Sequence, residues 1–150
     1  MKHAPVDYDC PFCRKAHHLK SELMADSPFV LEEEKVFALI PLHCYSPTKG
    51  NCLVIPKRHY ENIYDIDEEL GIDLLRVTKR LSFAMKKAFK CEGVSTRQHN
   101  EPAGNQDVWH YHLHVIPRFH ADELSSTPII RYPEEERYAL AAKLRAVLEM

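Results

Sequence analysis

The sequence lacks any apolar run that approaches the roughly 20 residues of a membrane-spanning helix. Its first residues, Met1 to Asp7, also lack the apolar segment of a secretory signal. Repeats, low-complexity tracts and long Gly/Ser linkers are missing as well. We therefore expect a cytoplasmic protein without a membrane segment.

The sequence also lacks an excess of charge of either sign. Its 20 Lys and Arg residues stand against 22 Asp and Glu residues, for a formal net charge of −2 at pH 7. Surfaces that bind nucleic acid or anionic membranes normally carry a strong basic excess. We expect neither partner here, so an anionic ligand has to be held by local groups.

Apolar patterning predicts a mixture of strands and helices. Short β-like runs predict five strands, at residues 29–32, 36–40, 52–55, 94–99 and 108–117. The breaks at residues 33–35 and 100–105 predict two hairpins. Strands on both sides of a helix favour an α+β fold with a mainly antiparallel sheet.

Two helices are predicted between and after these strands. A capping-box pattern at Asp65 and Glu68 precedes apolar residues that recur every three or four positions. This pattern predicts one long helix that continues until Gly93. A second helix is predicted from about Pro133 to Glu149, where proline and acidic residues precede an apolar stripe.

The cysteine count is odd, at five, and two of the cysteines form a Cys10-x-x-Cys13 pair. In a reducing compartment this spacing favours a metal or free thiols over a disulfide. Two thiolates at this spacing are half of a tetrahedral zinc site, and two reduced surface thiols are the alternative. The remaining cysteines are expected to be buried as small apolar residues: Cys44, Cys52 and Cys91.

Ten histidines are present, and three alternate with apolar residues just before Pro117. Because a strand has a side-chain period of two, His110, His112 and His114 would share one face, about 7 Å apart. The apolar residues between them would pack on the core. An ordinary half-buried strand is the alternative, but a row of imidazoles indicates a metal or an anionic substrate.

The histidine row resembles the signature of the histidine triad (HIT) family, His-φ-His-φ-His-φ-φ, in which φ is apolar. Residues 48–59 resemble the family's Gly-x-x-Leu-Val-Ile-Pro-Lys-x-His segment, and residues 100–108 resemble its Asn-x-x-x-Gly-x-Gln-x-Val segment. The resemblance implies a HIT-like α+β fold. That fold has a mainly antiparallel five-stranded sheet, one long central helix and a C-terminal helix.

The resemblance also implies nucleotide chemistry at the α-phosphate. His112 would attack phosphorus and form a nucleotidyl-histidine intermediate that water cleaves. His114 would contact the phosphoryl oxygens, and Asn100 and Gln106 would supply amide donors to the phosphate or the leaving group. The implied ligand is a purine nucleotide or a nucleotide conjugate, and the implied assembly is a homodimer.

One branch of the family carries Cys-x-x-Cys and ligates zinc. By resemblance, the ligands of a structural Zn²⁺ here would be Cys10, Cys13, His59 and His110. The zinc would attach an N-terminal segment, about residues 1–27, to a core of about residues 28–120. With a C-terminal helix at about residues 133–149, these parts would form a single HIT domain.

Three positions depart from the family pattern. His43 stands where the family usually has the Asp that holds the ribose, Asn51 where it has histidine, and Asp107 where it has serine. His43 and Asn51 are expected to contact the nucleotide in place of the usual residues. A carboxylate near a phosphate is unfavourable unless it is paired or points away. We therefore expect the chemistry to persist and the substrate preference to differ.

Three functions remain open. The first is a hydrolase of a nucleoside phosphoramidate, an adenylylated amine or a dinucleoside polyphosphate. The second is a nucleotidyl transferase, although the related transferases carry Gln where His114 stands. The third is a zinc-dependent module that binds a nucleotide without turning it over, which the replacement of the ribose-binding Asp by His43 favours.

Overall fold

The computed structural model describes residues 2–22, 24, 27–46, 48–124 and 126–150. Its elements are, in chain order, α1 (Pro11–Ala16), β1 (Phe29–Glu32), β2 (Val36–Leu39), β3 (His43–Tyr45), β4 (Cys52–Pro56), α2 (Glu68–Phe89), β5 (Gly93–Gln98), β6 (Leu113–Arg118), β7 (Ile129–Arg131) and α3 (Glu134–Leu148). The predicted α+β class, the long helix and the C-terminal helix are confirmed.

The five predicted strands form one antiparallel sheet in the order β1-β2-β4-β6-β5. Both predicted hairpins are present, and the first is closed by the Glu33 N–H, which donates to the Val36 carbonyl at 2.8 Å. The pairing leaves β5 at an edge of the sheet. The sequence pattern does not predict the short strands β3 and β7, which form a separate two-stranded sheet.

The five-stranded sheet is covered on both faces. Side chains from alternate positions of β2 and β4 pack against α2 on one face and against the N-terminal segment on the other. This explains why every residue of β2 and β4 is buried. The N-terminal layer includes Phe12, Phe37 and Leu53, and the α2 layer includes Ala38 and Val54.

The ends of α2 differ from the prediction. Asp67 rather than Asp65 caps the helix, because its Oδ1 accepts the Leu70 N–H at 2.8 Å. Asp65 lies in a preceding 3-10 turn. The helix ends before Gly93, because Lys90 adopts a left-handed conformation with φ of 57° and Gly93 already begins β5.

The strand that carries the histidines is shorter than predicted, because β6 begins only at Leu113. His110 and His112 precede the ladder, so the prediction that all three histidines lie in one strand is wrong. The Tyr111 N–H donates to the Tyr60 carbonyl at 2.6 Å instead of to a neighbouring strand. This contact holds the backbone outside the sheet immediately before β6.

Three further predictions concern the core and the surface. Burial of the isolated cysteines is confirmed, with exposed fractions of 4% or less at Cys44, Cys52 and Cys91. The prediction that the apolar residues between the histidines pack on the core is confirmed, because Tyr111 is buried in the α2 layer and Leu113 packs against that layer. Within the described part of the chain, no helix is long and apolar enough to cross a bilayer.

Candidate active site

The N-terminal segment covers the histidine row. Cys10 caps α1, and its Sγ accepts the Cys13 N–H at 3.5 Å. Between the two cysteines lies Phe12, which is 1% exposed. Its ring meets the rings of His110 and His112 edge-on, at centroid distances of 5.7 and 5.3 Å. The Cys-x-x-Cys turn is therefore packed directly against two histidines of the row.

A Cys₂His₂ cluster lies where this turn meets the row. Cys10 Sγ is 3.3 Å from His110 Nδ1, and Cys13 Sγ is 3.3 Å from His59 Nδ1. The ligand atoms of all four residues lie within 4.8 Å of one another, so the group could hold a metal ion. The structure thus brings together the four residues that the sequence proposes as ligands.

The residues around the cluster favour the protonation states that bind a cation. His110 is fully buried, and its Nε2 lies 2.9 Å from the Pro56 carbonyl. Donation from Nε2 leaves the lone pair on Nδ1, which faces the thiols, as a metal-binding histidine requires. The hydrogen bond from the Cys13 thiol lowers the pKa of Cys10 and so favours the thiolate, which is the form that binds a metal.

His112 is held in one tautomer by the backbone. The side chain is 3% exposed, and its Nδ1 lies 2.8 Å from the His110 carbonyl. A carbonyl only accepts, so Nδ1 carries the proton and Nε2 carries the lone pair of the neutral ring. The ring centroids of His112 and His114 are 5.2 Å apart, which is closer than the strand-based expectation. The arrangement presents Nε2 as a nucleophile.

A buried ring nitrogen of His114 has no partner among the described residues. Its Nδ1 is one of three buried side-chain atoms without a hydrogen bond in the described part of the chain, and the Asn51 Oδ1 is another. Asn51 precedes β4 by one residue and lies two positions before Leu53, which is opposite His114. Burial, followed by the neighbouring His112, lowers the pKa of His114 to about 3, so its ring is neutral at pH 7.

Gln106 and Asn100 hold the loop that leads into the row. Gln106 Nε2 donates to the carbonyls of Glu61 and Val108, at 2.5 and 3.0 Å, and its Oε1 accepts the Glu101 N–H. Asn100 Oδ1 accepts the Ile63 N–H at 2.8 Å, and its Nδ2 donates to Gln98. Both amides are committed to protein groups, which makes them positioning residues in this conformation.

The three departures from the family pattern lie in different places. His43 is exposed on β3, opposite Arg131, and no described hydrogen bond or ion pair joins it to the row. Asn51 is buried near the row, with 2% of its surface exposed. Asp107 Oδ1 lies 3.4 Å from His112 Nε2, and the Asp107 side chain is 81% exposed.

Sequence reasoning missed Phe12 and Arg97. Arg97 lies opposite His114 on β5, and its guanidinium donates to the Tyr45 hydroxyl at 3.2 Å. Arg97 could have been found from the sequence, because it lies two positions before His99 and so shares a face of the predicted strand with it. The His99 ring centroid is 6.1 Å from that of His114. The contact of Phe12 had no signal, because it depends on how α1 docks.

Residues 22–121 match the HIT domain. This chain belongs to the HIT family. The matched residues contain His59, Asn100 and the whole histidine row, whereas Cys10 and Cys13 precede them. The HIT match therefore covers the candidate nucleotide site, while half of the Cys₂His₂ cluster comes from the N-terminal extension.

Three HIT relatives illustrate the range of similarity. "Protein hit" of Bacillus subtilis is 37% identical over 90 residues, which is 60% of this chain and 61% of that protein. An adenosine 5'-monophosphoramidase of Saccharomyces cerevisiae is 33% identical and matches 89% of this chain and 75% of its own length. A bis(5'-adenosyl)-triphosphatase of Dictyostelium discoideum is 30% identical, with 77% and 76% covered.

Two solved HIT structures resemble most of the chain. A Hit-like protein from Bartonella henselae superposes with a TM-score of 0.83 at 32% identity, and 97% of this chain and 99% of that chain are covered. A zinc-bound histidine triad family protein from Mycobacterium smegmatis has a TM-score of 0.78 at 27% identity, with 94% of each chain covered. These similarities extend over the N-terminal segment as well as the sheet.

Proposed function

We propose that this chain is a nucleotide hydrolase that acts at the α-phosphate with His112 as its nucleophile. The observation that carries the proposal is the His112 ring: its Nδ1 is fixed on the His110 carbonyl, which leaves the lone pair on Nε2. The names of two HIT relatives, a phosphoramidase and a triphosphatase, support adenosine-based substrates. A purine nucleotide conjugate is therefore the proposed ligand.

The proposed reaction has two displacements. In the first, His112 Nε2 forms a bond to the α-phosphorus and the leaving group departs with its bonding electrons. In the second, water attacks phosphorus and returns the electron pair to Nε2. The unpartnered His114 Nδ1 would donate to a phosphoryl oxygen, and Asn51 Oδ1 would accept from a ligand hydroxyl. Gln106 and Asn100 would position the loop around the phosphate.

The Cys₂His₂ cluster is proposed to hold a structural Zn²⁺. Two thiolates and two imidazoles are a donor set that suits tetrahedral zinc, and these four described residues would occupy all four positions of the tetrahedron. Bound zinc would hold the segment of about residues 1–27 against the core of the single domain. It would also fix His110, whose carbonyl orients the nucleophile.

The assembly is proposed to be a homodimer of cytoplasmic chains. The edge strand β5 leaves backbone groups available for pairing, and α2 exposes Ile72, Leu75 and Phe83 by 61–69% of their surface. All five cysteines are free, which fits a reducing compartment. Analytical ultracentrifugation tests the assembly, and a monomer at micromolar concentration would contradict it.

The test of the hydrolase is AMP release from an adenosine phosphoramidate by zinc-loaded protein. Wild type is compared with His112→Ala and with a matched control, His120→Ala, which removes an exposed histidine after β6. Turnover by the wild type and the control, and its loss in His112→Ala, is expected. Equal activity in all three proteins would overturn the role of His112.

One observation favours a second function, nucleotide binding without turnover. Asp107 Oδ1 lies beside the nitrogen that has to approach the phosphate. A carboxylate there opposes the arrival of an anion unless the ligand displaces or neutralises it. Calorimetry distinguishes the two functions: tight AMP binding with no release of AMP from any conjugate would establish the binding module.

A further inference from the structure

Asp107 brings a carboxylate into contact with the proposed nucleophile. Its Oδ1 lies 3.4 Å from His112 Nε2, and in the described part of the chain no other carboxylate lies within 4.0 Å of a His112 or His114 nitrogen. Asp107 is 81% exposed, whereas His112 is 3% exposed. The carboxylate therefore lies on the solvent side of Nε2, from which a substrate has to enter.

The position of Asp107 relates it to the leaving group. In a displacement at phosphorus, the attacking and leaving atoms lie roughly in line, on opposite sides of the phosphorus. Because Nε2 is buried, the leaving group points towards solvent, where Asp107 stands. Its carboxylate is ionised at neutral pH, because the side chain is exposed to solvent and an aspartate has an ordinary pKa of about 4.

We propose that Asp107 is a specificity-determining residue that favours amine leaving groups over phosphate leaving groups. The inference rests on the proposed hydrolase and specifies the substrate class of the same site. A protonated phosphoramidate nitrogen is cationic, so the carboxylate attracts it. The nucleoside di- or triphosphate that leaves a dinucleoside polyphosphate is anionic, so the carboxylate repels it.

The reaction of the favoured substrate balances without a further reactant. The phosphoramidate nitrogen takes a proton from solvent, and His112 Nε2 then forms a bond to phosphorus. The P–N bond breaks, its electron pair returns to the nitrogen, and a neutral amine departs. Water then forms a P–O bond, the His112–phosphorus bond breaks towards Nε2, and the surplus protons return to solvent.

The experiment compares kcat/KM for AMP joined to a primary alkylamine with kcat/KM for diadenosine triphosphate. Wild type, Asp107→Asn, Asp107→Ser and Asp107→Glu are measured with zinc bound. Glu135→Gln, on the exposed start of α3, is the matched control for loss of one negative charge. Asp107 is exposed, so its variants are expected to fold.

The expected result is a change in selectivity rather than in overall activity. Asp107→Asn and Asp107→Ser shift the ratio of the two constants by about 10- to 100-fold towards diadenosine triphosphate. Asp107→Glu and Glu135→Gln keep the ratio within about threefold of wild type. An unchanged ratio in Asp107→Asn, or an equal loss with both substrates, would overturn the inference.

A binding measurement separates this inference from the proposed function. If wild type turns over neither substrate, the hydrolase is wrong, and the affinities of the two compounds for His112→Ala are compared with those for His112→Ala/Asp107→Asn. The same shift of about 10-fold or more in relative affinity would support the role of Asp107. Identical relative affinities would overturn it.

Discussion

At one end of the histidine row, both ring nitrogens of His110 are engaged, one by cysteine thiols and one by the Pro56 carbonyl. At the other end, the described residues leave a buried nitrogen of His114 without a partner and place an exposed carboxylate beside His112 Nε2. The three histidines share one residue type and one spacing. Their partners, rather than the motif, separate a structural end from a reactive end.

The backbone connects the two ends. The His110 carbonyl accepts from His112 Nδ1, so the residue that belongs to the Cys₂His₂ cluster also fixes the tautomer of the nucleophile. Phe12 contacts both rings from the Cys-x-x-Cys turn. The structural end can therefore orient the reactive end without touching the substrate.

The largest loss of activity is expected from a substitution that changes only the reactive end of the row. His112→Ala removes the nucleophile, and we expect kcat for an adenosine phosphoramidate to fall by about 10³-fold or more. The metal content, measured by native mass spectrometry, should remain that of wild type, because His112 is not a ligand. Loss of metal together with activity would contradict the separation of the two ends.

The next largest effect is expected on stability, from loss of the metal or of one ligand at the structural end of the row. Removal of zinc with a chelator, or the substitution Cys13→Ala, is expected to lower the free energy of unfolding by about 3 kcal/mol, since a ligand that binds only the folded state stabilises it. For a chain of this size, that corresponds to a fall in Tm of about 6–12 °C. Cys91→Ala is the control that keeps the cluster intact, and an unchanged Tm after metal removal would contradict a structural site.

Comparison of the sequence-based predictions with the fold shows which information is local. The strands β2 and β4 were predictable because continuous apolar runs identify strands buried on both faces. The late start of β6 was not predictable, because it depends on a hydrogen bond between Tyr111 and the distant Tyr60. Alternation alone does not reveal where a ladder begins.

In the candidate site, too, the sequence reveals some features, whereas others depend on tertiary packing. Spacing and family resemblance selected Cys10, Cys13, His59 and His110, which the fold brings together. They did not reveal that the Gln106 side chain is directed at carbonyls from two separate segments, because that choice depends on tertiary packing.

A smaller effect on stability is expected from a substitution in the loop that leads into the row. Gln106→Ala removes partners from two carbonyls and one N–H, and we expect a loss of about 2 kcal/mol in the free energy of unfolding. Urea denaturation measures it. Gln98→Ala is a comparison at a less buried amide, and a Gln106→Ala protein as stable as wild type would show that the loop holds without it.

The smallest effect concerns pH and the buried His114. Its pKa falls from the ordinary value of 6.5 to about 3, so the unfolded chain binds more protons than the folded chain between these values. The stability linked to the neutral His114 ring is therefore fully present above pH 6.5 and is lost progressively as the pH falls below that value. When the pH is lowered from 7.5 to 5.5, we expect the free energy of unfolding of His114→Asn to fall by about 1 kcal/mol less than that of wild type. Parallel pH profiles would contradict this assignment.

In the proposed reaction His112, and not another histidine of the row, becomes nucleotidylated. Rapid acid quenching of zinc-loaded wild type after mixing with an adenosine phosphoramidate, followed by intact-mass analysis and peptide mapping, tests it most directly. We expect a transient adduct of one adenylyl group on His112 that appears before AMP and is missing in His112→Ala. Turnover without any adduct, or an adduct on His110 or His114, would show that His112 is not the nucleophile.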